Sequence, residues 1–411
     1  MKESPTEVIT LSNGIRLAYV RSNSAVGHLA FYFKGGSRSE PSTHPGLAHF
    51  LEHCIFKGTH TRKAMWILTR LDEVGGELNA FTAKEEICVH ATFLNRYTKR
   101  AFELMSDLVV NSNFPIQEIE KEKEVVIDEI NSYKDSPLDR LMDEFDRIFF
   151  GEHPLGNPIL GTKKSVKRFK REDLLAFIQS NFTADNMVVS YVGREPKHRL
   201  VELIEGQLKD LPAKATNLGW TPPAEIKPFT IRKKESNFQS HAILGGIAPS
   251  YHSEDRLAMN ILINFLGGPA MNARLNIVIR EKHGLAYHVE ASYAVLEDTG
   301  FWGILLSAEQ KNIDKSIDLA KKELRLLVEK GMTPIQLKKS KYQFLSQLSI
   351  GWESNNARTM SNGKTLLIYN RIDSLEDTFR KINAITLDEI NAVARKYFSA
   401  EQQCMLVYDK K

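Results

Sequence analysis

Residues 8–11 and 15–20 alternate apolar and polar side chains on either side of Ser12-Asn13-Gly14, three residues that favour a tight turn. The start of the chain therefore predicts a hairpin. Residues 28–33 form a nearly unbroken apolar run of strand length. Helical periodicity follows over residues 46–56 and again over the carboxylate-rich stretch 118–130, with a strand pair between them. Residues 186–192 and 403–408 read as closing strands of two successive halves. Strands and helices in blocks predict an α+β protein of two domains, each a mostly antiparallel sheet with helices packed on it.

The two halves echo each other. Phe114-Pro115-Ile116-Gln117 ahead of one helix is matched by Thr333-Pro334-Ile335-Gln336 ahead of another. Asn181-Phe182-Thr183-Ala184 is matched by Tyr397-Phe398-Ser399-Ala400. Both pairs share an offset of roughly 215–220 residues, the mark of an internal duplication. Pro212, Gly219, Pro222, Pro223 and Pro228 cluster between the halves. They predict a first domain over residues 1–211, a linker over 212–228 and a second domain over 229–411.

Composition narrows the class. The 411 residues are 42% apolar and 26% charged, as in folded globular domains. A net charge of +4 is too small to argue for nucleic acid or an anionic membrane surface. No run of about 18 apolar residues offers a membrane span. The opening residues Met1 to Glu7 are polar, and read as neither a secretory signal nor an Arg-rich transit peptide. Cys54, Cys88 and Cys404 have no paired spacing, so they read as reduced thiols, and the expected location is the cytoplasm.

The chemistry concentrates in His49-Phe50-Leu51-Glu52-His53. On a helix, positions i, i+3 and i+4 share a face, so two imidazoles and a carboxylate converge. That combination suits a catalytic zinc site: two neutral nitrogen ligands, an open coordination position and a base beside the metal-bound water. A solvated helix with two incidental histidines is the alternative. The apolar neighbours Leu47, Phe50, Leu51 and Ile55 weigh against it, because unpaired imidazoles and carboxylates are costly on a buried helix. A third ligand is needed. The helix over 118–130 offers several carboxylates, of which Glu118, Glu120 and Glu124 read as a solvated face with lysine partners one turn away. Glu122 and Glu129 lie two turns apart on one face, and spacing alone does not choose between them.

Taken together, these blocks resemble the pitrilysin/insulinase family of zinc peptidases, in the half-length branch that includes the mitochondrial processing peptidase. The H-x-x-E-H order is that of the inverzincins. Gly36-Ser37-Arg38-Ser39-Glu40, the motif itself and Phe56-Lys57-Gly58-Thr59 resemble the family's opening block. Gly76-Glu77-Leu78-Asn79-Ala80-Phe81-Thr82 resembles its Asn-Ala-x-Thr strand, and His153-Pro154-Leu155-Gly156 a further block. In the second half, Arg280 and Tyr287 resemble the family's arginine/tyrosine pair. Val89 and His90, and the stretch Gly268-Pro269-Ala270-Met271-Asn272-Ala273-Arg274-Leu275, depart from the family pattern.

The resemblance implies one Zn²⁺ per chain, held by His49, His53 and Glu129, with Glu122 orienting a ligating histidine. Glu52 becomes the general base and later the acid for the leaving amine. Tyr287 becomes a donor to the oxyanion and Arg280 an anchor for substrate. Asn79, Ala80, Phe81 and Thr82 become an edge strand that takes up an extended peptide. The implied activity is an endopeptidase acting on short or unfolded peptides in an enclosed chamber. Full-length relatives face the zinc domain with a domain of the second half, so a half-length chain implies a homodimer with Arg280 and Tyr287 acting in trans, or a heterodimer with a related chain. An inactive subunit that binds peptides or scaffolds a partner is the rival reading.

Overall fold

The computed structural model describes residues 5–214 and 219–411, so residues 1–4 of the polar start and 215–218 of the expected linker lie outside the described residues. The chain divides into two compact units. In the first, strands β1 (Glu7–Thr10), β2 (Arg16–Arg21), β3 (Val26–Lys34), β4 (Glu77–Thr82), β5 (Glu86–Leu94) and β6 (Met187–Gly193) form one sheet in the order β1-β2-β6-β3-β5-β4. The β1–β2 hairpin turns at Gly14 with φ +93°, a conformation glycine adopts without strain. Its helices include α1 (Leu47–Cys54), α2 (Ala64–Asp72), α3 (Thr98–Asn111) and α4 (Ile116–Asp135). Pro115 sits just ahead of α4, where its missing N–H costs nothing.

The second unit contains α5 (Pro137–Phe150) and strands β7 (Thr230–Glu235), β8 (Ser240–Ile247), β9 (Ala286–Val295), β10 (Gly300–Ala308) and β11 (Cys404–Lys410). Its sheet order is β7-β11-β8-β10-β9. In each sheet the last strand of the half runs parallel to the first long one (β6 to β2, β11 to β7), and those neighbouring pairs are followed by antiparallel ones. The same topology twice is what an internal duplication produces. Both units are mixed α+β with a mostly antiparallel sheet.

Neither unit is continuous in sequence. Residues 132–156 belong to the second unit, and residues 350–374 belong to the first. The cause lies in the strands. In β3, Leu29, Phe31 and Phe33 face the main core, while Ala30 and Tyr32 face the other side. A sheet apolar on both faces needs a cover on both. In the first unit the helix Asn355–Tyr369 supplies it, packing Leu366 and Leu367 on Ala30, Tyr32 and Val188. In the second, α5 packs Leu141, Phe145, Phe149 and Phe150 on Ile243, Phe301 and Leu406. The chain-order division at 212–228 and this spatial one are therefore different boundaries, although the passage from Trp220 to Thr221 lies within that linker. Among the described residues no helix is long and apolar enough to cross a membrane. The three cysteines are buried and unpaired.

Candidate metal and catalytic site

Helix α1 carries the motif because one face of it is core. Leu47, Phe50 and Leu51 are at most 2% exposed, and burying each contributes about 1.5–3 kcal/mol. The entry into the helix is tightly packed. Gly46 has φ +93°, and a Cβ there would stand 2.6 Å from the Leu160 carbonyl oxygen and 2.7 Å from Gly161 Cα. The N–H groups of Gly46 and Ala48 donate to the two carboxylate oxygens of Glu40, each at 2.8 Å. Burial pushes the Glu40 carboxyl up to about 8, against the pull of those two donors. Glu40 thus holds the first turn of the motif helix.

His49 and His53 meet Glu129 from α4. His49 Nε2 lies 3.7 Å and His53 Nε2 3.4 Å from Glu129 Oε2. One donor atom from each residue falls within 4.8 Å of both others. A tetrahedral ion with bonds of about 2.0–2.1 Å spaces its ligand atoms about 3.3 Å apart. The observed spacing, with two imidazole nitrogens and one carboxylate oxygen, fits zinc. His53 Nδ1 is 2.9 Å from Glu122 Oε1, and Glu122 Oε2 is 2.7 Å from Lys57 Nζ. That network puts the His53 proton on Nδ1 and leaves the Nε2 lone pair directed at Glu129. His49 Nδ1 is buried and has no hydrogen-bond partner among the described residues.

Protonation follows from these contacts. Burial, and then the neighbouring His53, bring His49 down to about 4, which keeps it neutral and able to ligate. Burial also pulls His53 down. The Glu122 hydrogen bond and the charges of Glu122, Glu129 and Glu52 outweigh it, and His53 ends above its ordinary 6.5. Burial raises Glu122, but its bonds to His53 and Lys57 win and leave it below the usual range. A proton on His53 competes with a metal ion for Nε2, so metal affinity falls as pH drops through the raised His53 value. Zinc-indicator titrations across neutral pH are expected to show affinity dropping about tenfold per pH unit below that point. An affinity that stays flat from pH 8 down to pH 6 contradicts this.

Glu52 stands beside the three donors but is not one of them. Its Oε2 accepts a hydrogen bond from Thr82 Oγ1 at 2.6 Å. Burial raises its pKa, outweighing the Thr82 bond and the His53 charge. A raised, immobilised carboxyl suits an acid/base role near neutral pH. Thr82 ends β4, which among the described residues pairs with β5 alone, Asn79 opposite His90 and Ala80 opposite Val89, with Phe81 and Thr82 beyond. The free edge can accept an extended peptide by backbone hydrogen bonds.

Arg280 and Tyr287 belong to the second unit. Arg280 sits on the π-helical turn Asn276–Glu281. Tyr287 is 67% exposed at the start of β9. Ser307 pairs with His288 and Ala308 with Ala286, so Tyr287 is the extra residue of a β-bulge. Bulges re-aim a side chain, and π-helical turns recur at functional sites.

His49, Glu52, His53, Glu122 and Glu129 stand out in the sequence, whereas Glu40 and Lys57 carry no local mark of their tasks. Both stand inside the blocks Gly36–Glu40 and Phe56–Thr59 that flank the motif, so the signal is present without its chemistry. The Thr82 bond to Glu52 and the bulge at Tyr287 depend on strand pairing, which no local pattern reveals.

The chain matches the family description "Insulinase (Peptidase family M16)" over residues 16–163 and "Peptidase M16 inactive domain" over residues 168–344. It is 32% identical over 400 residues, 97% of each chain, to the uncharacterized zinc protease YmxG of Bacillus subtilis. It is 33% identical to the uncharacterized zinc protease ML0855 of Mycobacterium leprae, covering 94% of this chain and 88% of that one. Among solved structures, a peptidase M16 inactive domain from Pseudomonas fluorescens superposes with TM-score 0.92 at 19% identity, covering 99% of this chain and 98% of that one. A protease from Helicobacter pylori superposes with TM-score 0.88 at 21% identity, covering 99% and 100%. On sequence across nearly its full length, the chain belongs to peptidase family M16, the insulinase family.

Proposed function

We propose that this protein is a zinc-dependent endopeptidase that hydrolyses short or unfolded peptides, with one Zn²⁺ per chain at His49, His53 and Glu129. The observation that carries the reading is the convergence of both Nε2 atoms on Glu129 Oε2, with the Glu52 carboxylate fixed beside them by Thr82. When bound, the ion supplies Lewis-acid polarisation and lowers the pKa of water at its open position toward about 7. Glu52 takes the proton from the attacking water and later delivers it to the leaving amine. The free edge of β4 aligns the substrate backbone, favouring extended peptides over folded proteins. Tyr287 donates to the developing oxyanion and Arg280 anchors the substrate. We assign the working form as a homodimer enclosing a chamber, in the cytoplasm, where the three buried thiols stay reduced.

The test is direct. The purified full chain, loaded with zinc, is expected to hold about one ion per chain and to cleave a short quenched-fluorescence peptide. A chelator abolishes cleavage, and added zinc restores it. Cleavage that is absent although zinc is bound overturns the reading and favours a peptide-binding subunit without activity.

A further inference from the structure

The second unit holds a cleft of about 560 Å³ beside Tyr287. Two departures from regular backbone frame one wall: the π-helical turn bearing Arg280 and the bulge bearing Tyr287. Between them Gly284 turns with φ +60°, and a Cβ built on it would meet nothing within 4 Å, so no side chain fills that wall. Lys311 and Asn312 stand opposite, in the first turn of the 21-residue helix Gln310–Lys330. That turn contains no acidic residue, and Glu309 at its N-cap makes no capping bond with its side chain. Glu309 instead pairs with Lys311 Nζ at 3.0 Å, which steadies the ammonium at the cleft. The contact of Arg280 Nε with Glu281 is long, at 3.6 Å, beyond hydrogen-bonding distance. The guanidinium is thus ion-paired with Glu281 without a hydrogen bond, and its N–H groups can still donate to a ligand. Among the residues lining the cleft two cations stand with one anion, Glu281 beside Arg280 offsets part of the second charge, and the partial positive charge at the helix start adds to what remains.

We propose that this cleft is a carboxylate subsite, which favours peptides carrying an anionic group close to the segment held at Tyr287. The group is either the free C-terminal carboxylate of a short peptide or an Asp or Glu side chain. Arg280 supplies a planar fork that matches a carboxylate, and Lys311 supplies a mobile point charge. Asn312 can donate its amide. The inference rests on reading Tyr287 and Arg280 as contacts to a peptide substrate, and it adds a selection rule to them: neutral and basic peptides of equal length bind less well. The Lys311 side chain is largely exposed and that of Arg280 half exposed, so the preference is modest and weakens with salt.

Binding without turnover tests this separately from catalysis. Three peptides of one length are titrated by calorimetry into zinc-loaded Glu52→Gln protein at low salt. One has a free C-terminus, one a C-terminal amide, and one an amide with an internal glutamate. At least one carboxylated peptide is expected to bind about five- to tenfold tighter than the plain amide. Preference for the free acid identifies the terminal carboxylate as the source, and preference for the internal glutamate identifies the side chain. In the Glu52→Gln/Lys311→Glu double variant the ratio should fall to about one or below. Lys311→Gln is the milder variant, with circular dichroism confirming the fold of both. Equal binding of all three peptides overturns the proposal, as does a preference that survives both Lys311 changes in folded protein, and so does failure of every peptide to bind. Absent cleavage by wild-type protein alongside an intact acid preference counts against the peptidase reading alone.

Discussion

Glu52→Gln is expected to lower kcat for peptide hydrolysis by about 10²–10⁴-fold, with zinc still bound at about one per chain. Glutamine keeps the length and shape of the side chain, and its amide oxygen can still accept the hydrogen bond that Thr82 Oγ1 makes to Glu52 at 2.6 Å. It cannot take a proton from water. Since Glu52 is outside the trio whose atoms lie within 4.8 Å of one another, the ligand set survives the change. KM should move little, because the loss falls on the transition state and spares substrate binding. Metal analysis beside steady-state kinetics decides the matter. If zinc leaves together with activity, Glu52 is a ligand and the division of roles among the carboxylates is wrong. If activity stays within about tenfold of wild type, proton transfer passes through another group.

How much of this was legible beforehand depends on how local each feature is. The strands β3 and β6 were visible as apolar runs, since both faces of the sheet are covered and every position of β6, and of β3 except its two ends, is buried. Those same two covered faces hide the spatial boundary. The covering helices come from the opposite half of the chain in each case, and no composition shift marks an exchange of that kind. Within α1 the helical period alone put His49, Glu52 and His53 together. Choosing Glu129 over its acidic neighbours required either a family resemblance or the fold, because which face of α4 meets α1 is settled by packing. The fold resolves it through position: Glu129 Oε2 lies within 3.7 Å of both Nε2 atoms, Glu122 is bonded to His53 Nδ1 instead, and Glu118 and Glu120 pair with Lys121 and Lys123. Tyr287 shows the limit of pattern reading. Its strand was foreseeable, but the slip of register that singles it out exists only once β9 is paired with β10.

Two inactive proteins should make an active one. Tyr287→Phe removes a phenolic donor, which is expected to cost about 10²–10³-fold in kcat if it serves the oxyanion. Alone, this variant and Glu52→Gln are each nearly silent. The zinc trio and Glu52 lie in the first unit, and Arg280 and Tyr287 in the second. If a site in the homodimer combines the first unit of one chain with the second unit of its partner, a mixed dimer pairs both lesions at one site and leaves the other intact. Random exchange in an equal mixture makes about half the dimers mixed, each with one working site of two, so activity should return to about a quarter of wild type. Recovery should follow the rate of subunit exchange, and it should be greatest in the equal mixture and fall as the mixing ratio moves away from equality in either direction. A mixture that stays silent after exchange has been verified by differently tagged chains means that each chain completes its own site, or that the missing unit comes from another protein. The rescue reads geometry through chemistry: only an arrangement in trans gathers the two lesions into one site and frees the other, because within one chain each lesion would keep disabling its own site however the subunits are shuffled.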